Sequence, residues 1–145
     1  MGKLAAIALL FSVQAYACPQ LTGSYTCTYQ DGSKEVVTIA QNKDANNVDV
    51  YDYNGSTILT DNVAYAIPDD QQLRQGTFRA WCSDDVTLQT QLVGKYYQQG
   101  NFFGDLVMNL NLSLNGSDLR QVTVGSLKNT GGEYPLNGDV TCTHN

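Results

Sequence analysis

The chain has 145 residues, of which 42% are hydrophobic, 10% aromatic and 15% charged, with a formal net charge of −6. That length supports one domain with a real core and is too short for two. Its eight Lys and Arg residues are scattered rather than striped, which argues against nucleic acid, whose phosphates require clustered cations.

Residues 1–17 read as an export segment. Lys3 supplies a short positive start, residues 4–13 an apolar run, and Ala15-Tyr16-Ala17 an A-x-A cleavage site. The run is too short to span a bilayer, and no later stretch is apolar enough to form a transmembrane segment. The expectation is a secreted or periplasmic protein whose single domain, residues 18–145, carries a net charge of −7 once Lys3 is removed. Cys18, Cys27, Cys82 and Cys142 form an even set, which in a small exported domain predicts two disulfides in an oxidising compartment. Lipid anchoring at Cys18 is the rival reading. Against it, Ala15 stands where a lipoprotein signal carries Leu, and lipidation leaves three cysteines, an odd number.

In residues 21–30, Gly23, Tyr25, Cys27 and Tyr29 alternate with Thr22, Ser24, Thr26 and Thr28. That period of two marks a strand with one dry and one wet face. Asp31-Gly32-Ser33 turns the chain and residues 34–41 return; a three-residue loop sets Cys27 opposite Val37 and Tyr25 opposite Ile39. A polar loop, 42–47, leads to a hairpin of 48–53 and 56–60 around Asn54-Gly55, whose register stays open. Residues 63–67 continue its second arm or restart it.

The stretch 68–76 breaks the β pattern. Asp69 and Gln72 have the spacing of a capping box and Gly76 suits a helix stop, so one or two helical turns are expected there, or a plain polar loop. Residues 77–82 and 86–93 form the next hairpin around Ser83-Asp84-Asp85, with Ala80 opposite Leu88 and Cys82 opposite Val86. Residues 94–103 read as a link between hairpins. The clearest alternation follows: Leu106, Met108, Leu110, Leu112 and Leu114 against Val107, Asn109, Asn111 and Ser113. After Asn115-Gly116-Ser117, Val122 and Val124 return. A three-residue loop sets Leu110 opposite Val122 and Met108 opposite Val124, matching dry with dry, whereas a two-residue turn mixes the faces. A Gly-rich connection and a short strand, 139–143, end the chain.

Strands at short spacing with little helix between them predict an all-β, antiparallel, up-and-down meander closing into a barrel, with a sandwich as the alternative. Leu21-Thr22-Gly23-Ser24-Tyr25 resembles the opening of a lipocalin-type (calycin) barrel, where a Gly and an aromatic two residues later lie on the first strand; Tyr25 stands where that family has Trp. The resemblance implies a ligand-holding barrel without catalysis.

Four aromatics, Tyr96, Tyr97, Phe102 and Phe103, interleaved with Gln98, Gln99 and Asn101, make the best candidate for binding a ligand or partner. Aromatics give rigid contact area, and the amides give adaptable hydrogen bonds. The plain alternative is that Phe102 and Phe103 plug a barrel end. Trp81, on the wet face with Arg79, Thr87 and Gln89, is either covered by another strand or open to a partner. Catalysis has little support. The lone His144, next to the C-terminus, reads as an exposed tail residue with no nucleophile to serve. The pairs Asp69-Asp70 and Asp84-Asp85 suit turn chemistry better than acid/base or calcium work, and Asn42, Asp44 and Asn46 lack a closing Glu. No Cys pair has zinc spacing, so neither metal nor cofactor is expected. Asn54, Asn111 and Asn115 lie in N-x-S sequons, two of them in Asn-Gly turns.

Hairpin direction favours the bridges Cys27–Cys82 and Cys18–Cys142. The adjacency of first and last strands in a closed barrel keeps Cys27–Cys142 with Cys18–Cys82 as the other map. The functional expectation is a non-enzymatic exported barrel holding a small apolar or amphipathic ligand. The alternative is a protein-interaction module, such as a protease inhibitor or envelope component, acting through loops at one barrel end.

Overall fold

A computed structural model describes residues 17–145; the export segment, but for its last residue, lies outside them. Ten strands follow in order: β1 (Gly23–Thr28), β2 (Lys34–Lys43), β3 (Asp49–Tyr53), β4 (Ser56–Leu59), β5 (Tyr65–Ala66), β6 (Leu73–Cys82), β7 (Thr87–Gln98), β8 (Asn101–Asn115), β9 (Asp118–Asn129) and β10 (Gly132–His144). All pairings are antiparallel and form one sheet in the order β4-β3-β2-β1-β10-β9-β8-β7-β6-β5. Consecutive strands thus lie side by side except β4 and β5, which form the two edges, and β1 lies beside β10. The one missing ladder is between β4 and β5. The result is an up-and-down meander curled into a half-barrel, consistent with a calycin-like fold.

The core fills one end of this curl. Leu21, Tyr25, Cys27, Val37, Ile39, Tyr51, Ala80, Leu88, Leu112, Leu119 and Cys142 are buried together, drawn from inward positions that alternate with exposed neighbours. The segment before β1 closes this end. Tyr51 donates its hydroxyl proton to the Pro19 carbonyl at 2.6 Å, and Tyr25 donates to Leu21 at 2.9 Å. A buried hydroxyl without such a partner would be costly. Burial also drives the Tyr51 phenol well above its ordinary pKa.

The bridges are Cys18–Cys82 and Cys27–Cys142, not the map that hairpin direction favours. Cys27 and Cys142 are direct cross-strand partners with Cα atoms 4.0 Å apart. Four strands separate β1 from β6 in the sheet order, so Cys27 is out of reach of Cys82. Cys18 instead crosses to the end of β6. Two disulfides fit an oxidising compartment, and among the described residues no helix is long and apolar enough to cross a membrane.

Three hairpin registers differ from expectation. At β1–β2, Tyr25 faces Val37 and Cys27 faces Glu35, because the loop is Gln30-Asp31-Gly32 rather than one residue on. At β6–β7, Cys82 faces Leu88 and Ala80 faces Thr90; Val86 stays in the turn, where Asp84 Oδ1 accepts from the backbone N–H groups of Val86 and Thr87. At β8–β9, Asn115 pairs with Asp118 across a two-residue turn, so Asn109 faces Val124 and Asn111 faces Val122. Those valines lie on the outer face with the asparagines. The inner face of β9 reads Leu119, Gln121, Thr123, Gly125 and Leu127.

Two segments read as links are strand. Residues 94–103 complete β7 and begin β8 around a Gln99-Gly100 turn, both at positive φ (50° and 82°), the two-residue hairpin geometry. The Gly-rich connection belongs to β10, which runs unbroken through Pro135. Proline is tolerated there because β1 pairs with β10 only near its C-terminal end, leaving the earlier part an edge. The helical turns expected near Asp69 are absent, and the described residues hold no helix. Asp70 Oδ1 accepts from the N–H groups of Gln72 and Leu73, and Asp69 Oδ1 from Gln75, so the side chains fold a loop instead of capping a helix.

Candidate functional site

The break between β4 and β5 creates the site. After β4 the chain cannot continue a ladder. Asp61 Oδ1 accepts from the Val63 N–H, Asn62 donates its N–H to the Ala80 carbonyl at 2.9 Å, and Tyr65 donates to the Asp61 carboxylate. Strand β5 lasts two residues; Ile67 still donates its N–H to the Gly76 carbonyl of β6 at 2.8 Å, and the chain turns away at Pro68. This seam is held by the Cys18–Cys82 bridge at its end, with β4 resting against β6.

Inside the seam lies a cavity of about 530 Å³. Ile58, Thr90 and Leu112 form its buried floor; Tyr53, Ile67, Phe78 and Leu110 line its half-buried walls; Ser56, Thr57, Tyr65, Ala66 and Pro68 rim the mouth. Among the described residues no charged side chain lines it. The Thr90 hydroxyl is consumed by the Leu110 carbonyl at 3.0 Å. Tyr53 accepts from Gln121 Nε2 at 3.1 Å, which explains the buried amide of Gln121; the phenol proton of Tyr53 meets no acceptor among the described residues. Burial holds the Tyr53 phenol above its ordinary pKa despite the Gln121 bond, so it stays a neutral donor. Such a volume suits a small ligand, and so few open polar groups suit an apolar one.

The aromatic candidates lie elsewhere. Tyr96, Tyr97, Phe102 and Phe103 sit at the tip of the β7–β8 hairpin, beyond the packed core, and none lines the seam cavity. A bulge between Tyr96 and Tyr97 sorts them into two pairs. Tyr97 packs edge-on against Phe102 (5.7 Å between centroids), and Tyr96 edge-on against Phe103 (6.1 Å). The Arg74 guanidinium lies 4.2 Å from the Tyr97 ring centre and Lys95 Nζ 5.1 Å from that of Phe102. Trp81 is half-buried on the outer face under the Arg79 guanidinium, 5.0 Å from its ring, while Arg79 Nε donates to Gln91 Oε1.

His144 is exposed yet not a loose tail. It pairs with Tyr25 in the sheet, its ring edge-on to the Tyr25 ring at 5.3 Å, and Asn145 beyond it donates its N–H to Ser24. Among the described residues no three His, Cys, Asp or Glu side chains gather as metal ligands. Asp44 Oδ1 instead accepts from the Asn46 and Val48 backbone, and Asp52 Oδ1 from Gly55.

Nothing in the sequence singled out the seam, since its lining comes from β3 through β8. The one local signal is Tyr65-Ala66-Ile67-Pro68, an apolar run cut short by proline. Searches against protein-family models, curated proteins and solved structures found no match for this chain.

Proposed function

We propose that this chain is an exported, non-catalytic binding protein that holds a small neutral apolar or amphipathic ligand in the seam cavity. The observation that carries the reading is an uncharged cavity of about 530 Å³ walled by Ile58, Phe78, Leu110 and Leu112. The ligand's apolar part rests on these walls, and an acceptor oxygen suits the unpaired phenol proton of Tyr53. A free carboxylate or ammonium finds no counter-charge inside and stays at the mouth. Burying roughly 250 Å² of apolar surface gains about 6 kcal/mol, equivalent to a Kd of about 40 μM, and ordering costs of about 1–2 kcal/mol weaken this to a Kd on the order of several hundred micromolar. The resemblance of residues 21–25 to a lipocalin-type first strand supports the same reading. A protein-interaction role, as protease inhibitor or envelope component, has the exposed aromatic hairpin tip in its favour.

Displacement of an environment-sensitive alkyl fluorophore tests the proposal. Leu110→Trp fills the wall of the cavity and should weaken probe binding at least tenfold with little change in Tm. Probe binding at wild-type strength in that variant would move the ligand elsewhere.

A further inference from the structure

The hairpins β7–β8 and β9–β10 run past the core and end side by side in the turns Gln99-Gly100 and Thr130-Gly131. Behind these turns, one register row crosses five strands as Arg74, Lys95, Asp105, Lys128 and Glu133. Beyond the row, residues 96–104 and 129–132 carry no charge. Between the two tips lies a cleft of about 460 Å³ lined by Phe102, Phe103, Asn129, Thr130, Gly131 and Tyr134. Its rings are 50%, 37% and 47% exposed for Phe102, Phe103 and Tyr134, yet each is braced. Phe103 leans on Tyr96 at 6.1 Å and on Tyr134 at 6.4 Å, and Phe102 on Tyr97.

We infer that this cleft binds a neutral saccharide. Ring faces carry partial negative charge, so they attract the polarised C–H groups of a pyranose. The polar partners are in place beside them. Asn129 Oδ1 accepts from the Gly131 N–H at 2.8 Å, which fixes the amide and leaves its NH₂ to donate. The hydroxyls of Thr130 and Tyr134 bond to no described residue. Gly131 keeps the floor low: a Cβ there would stand 3.2 Å from Asn129 Oδ1 and 3.4 Å from the Tyr134 hydroxyl. A neutral sugar suits the site better than an acidic one, because Lys95, the cation beside the Phe102 ring, is already paired with Asp105 at 3.2 Å, and neither Lys95 nor Lys128 lines the cleft. A bilayer is the poorer partner, because the surface is concave and half its lining is amide, hydroxyl or bare backbone.

Chitohexaose, cellohexaose and maltohexaose, each titrated to about 10 mM, saturate a site whose Kd is roughly 1 mM. NMR of the purified protein should show one or more of them shifting the Asn129 side-chain amide and the Gly131 backbone amide. Asn129→Asp preserves the acceptor for Gly131 and removes the donor; with Tm unchanged it should weaken binding about tenfold, as should Phe103→Ala. Leu110→Trp, which blocks the seam cavity, should leave the titration unaltered, so the two sites fail or stand separately. The inference is overturned if none of the three sugars shifts these signals. It is also overturned if Asn129→Asp and Phe103→Ala bind as wild type, or if phosphatidylcholine vesicles broaden the tip signals while no sugar moves them.

Discussion

Replacing Cys18 and Cys82 together by Ala removes the covalent clasp of the seam. The two residues are 64 apart in sequence, and closing a loop of that length in the unfolded chain stabilises the fold by about 4 kcal/mol in the chain-entropy model, with about 2–4 kcal/mol the usual measured range. For a domain of this size 1 kcal/mol moves Tm by roughly 3–5 °C, so the variant should melt about 10 °C lower. A second effect is local. Without the bridge, the seam is left with the Asn62–Ala80 hydrogen bond and the contact of β4 with β6, so the cavity mouth loosens and probe affinity falls several-fold well below Tm. Cys27 and Cys142 provide the contrast, because they join the adjacent strands β1 and β10 and neither lines the cavity. Replacing that pair should lower Tm by at least as much and leave probe affinity untouched. Calorimetry and fluorophore titration of both variants read these effects. If the Cys18/Cys82 variant keeps both Tm and affinity, the seam is not held by this bridge and the account of the mouth is wrong.

Other substitutions test single contacts. Tyr53→Phe strips the buried Gln121 amide of its oxygen partner and leaves it only the weak Cys27 sulfur acceptor at 3.7 Å, and should cost about 1–2 kcal/mol in urea unfolding; an unchanged midpoint would show that the Tyr53 bond adds nothing to stability. Gly125→Ala forces a Cβ onto the Val107 carbonyl, where the β8 and β9 backbones close up, and should destabilise by about 1–3 kcal/mol; a neutral result would place the strands farther apart. Alkaline titration reads the phenols. The hydrogen bond to Glu35, then burial, pushes Tyr29 up to about 12, and burial alone raises Tyr25. Folded values above the unfolded value of about 10 mean stability fully present below pH 10 and lost as pH rises through the folded values. Absorbance near 295 nm should therefore show these tyrosines ionising together with unfolding; ionisation of every tyrosine near pH 10 with the fold intact would contradict their burial.

The strands were legible because their side chains alternate, and Leu106 to Leu114 lie on β8 as the pattern says. Register was not. The inner face of β9 contains Gln121, buried on the strength of Tyr53, and Gly125, small because two backbones meet there, so Val122 and Val124 imitate a dry face they do not form. Glycine misled again at Gly94 and Gly104, which look like breakers. They sit inside strands because a Cβ would meet Leu73 Cδ1 at 2.7 Å in the one case and the Lys128 carbonyl at 2.7 Å in the other. The disulfide map depended on which strand lies beside β1, a global property that no local window contains. The seam cavity is further still from the sequence. It exists because a ladder between β4 and β5 is missing, and its walls are brought together only when β1 and β10 pair.

The central claim, an apolar ligand site at the seam, is tested most directly by intermolecular nuclear Overhauser effects between a bound alkyl probe and the protein. Contacts are expected from the probe chain to the methyl groups of Ile58 and Leu110 and to the Phe78 ring. Contacts confined to the outer-face valines Val93, Val107 and Val124, with none to Ile58 or Leu110, would contradict it.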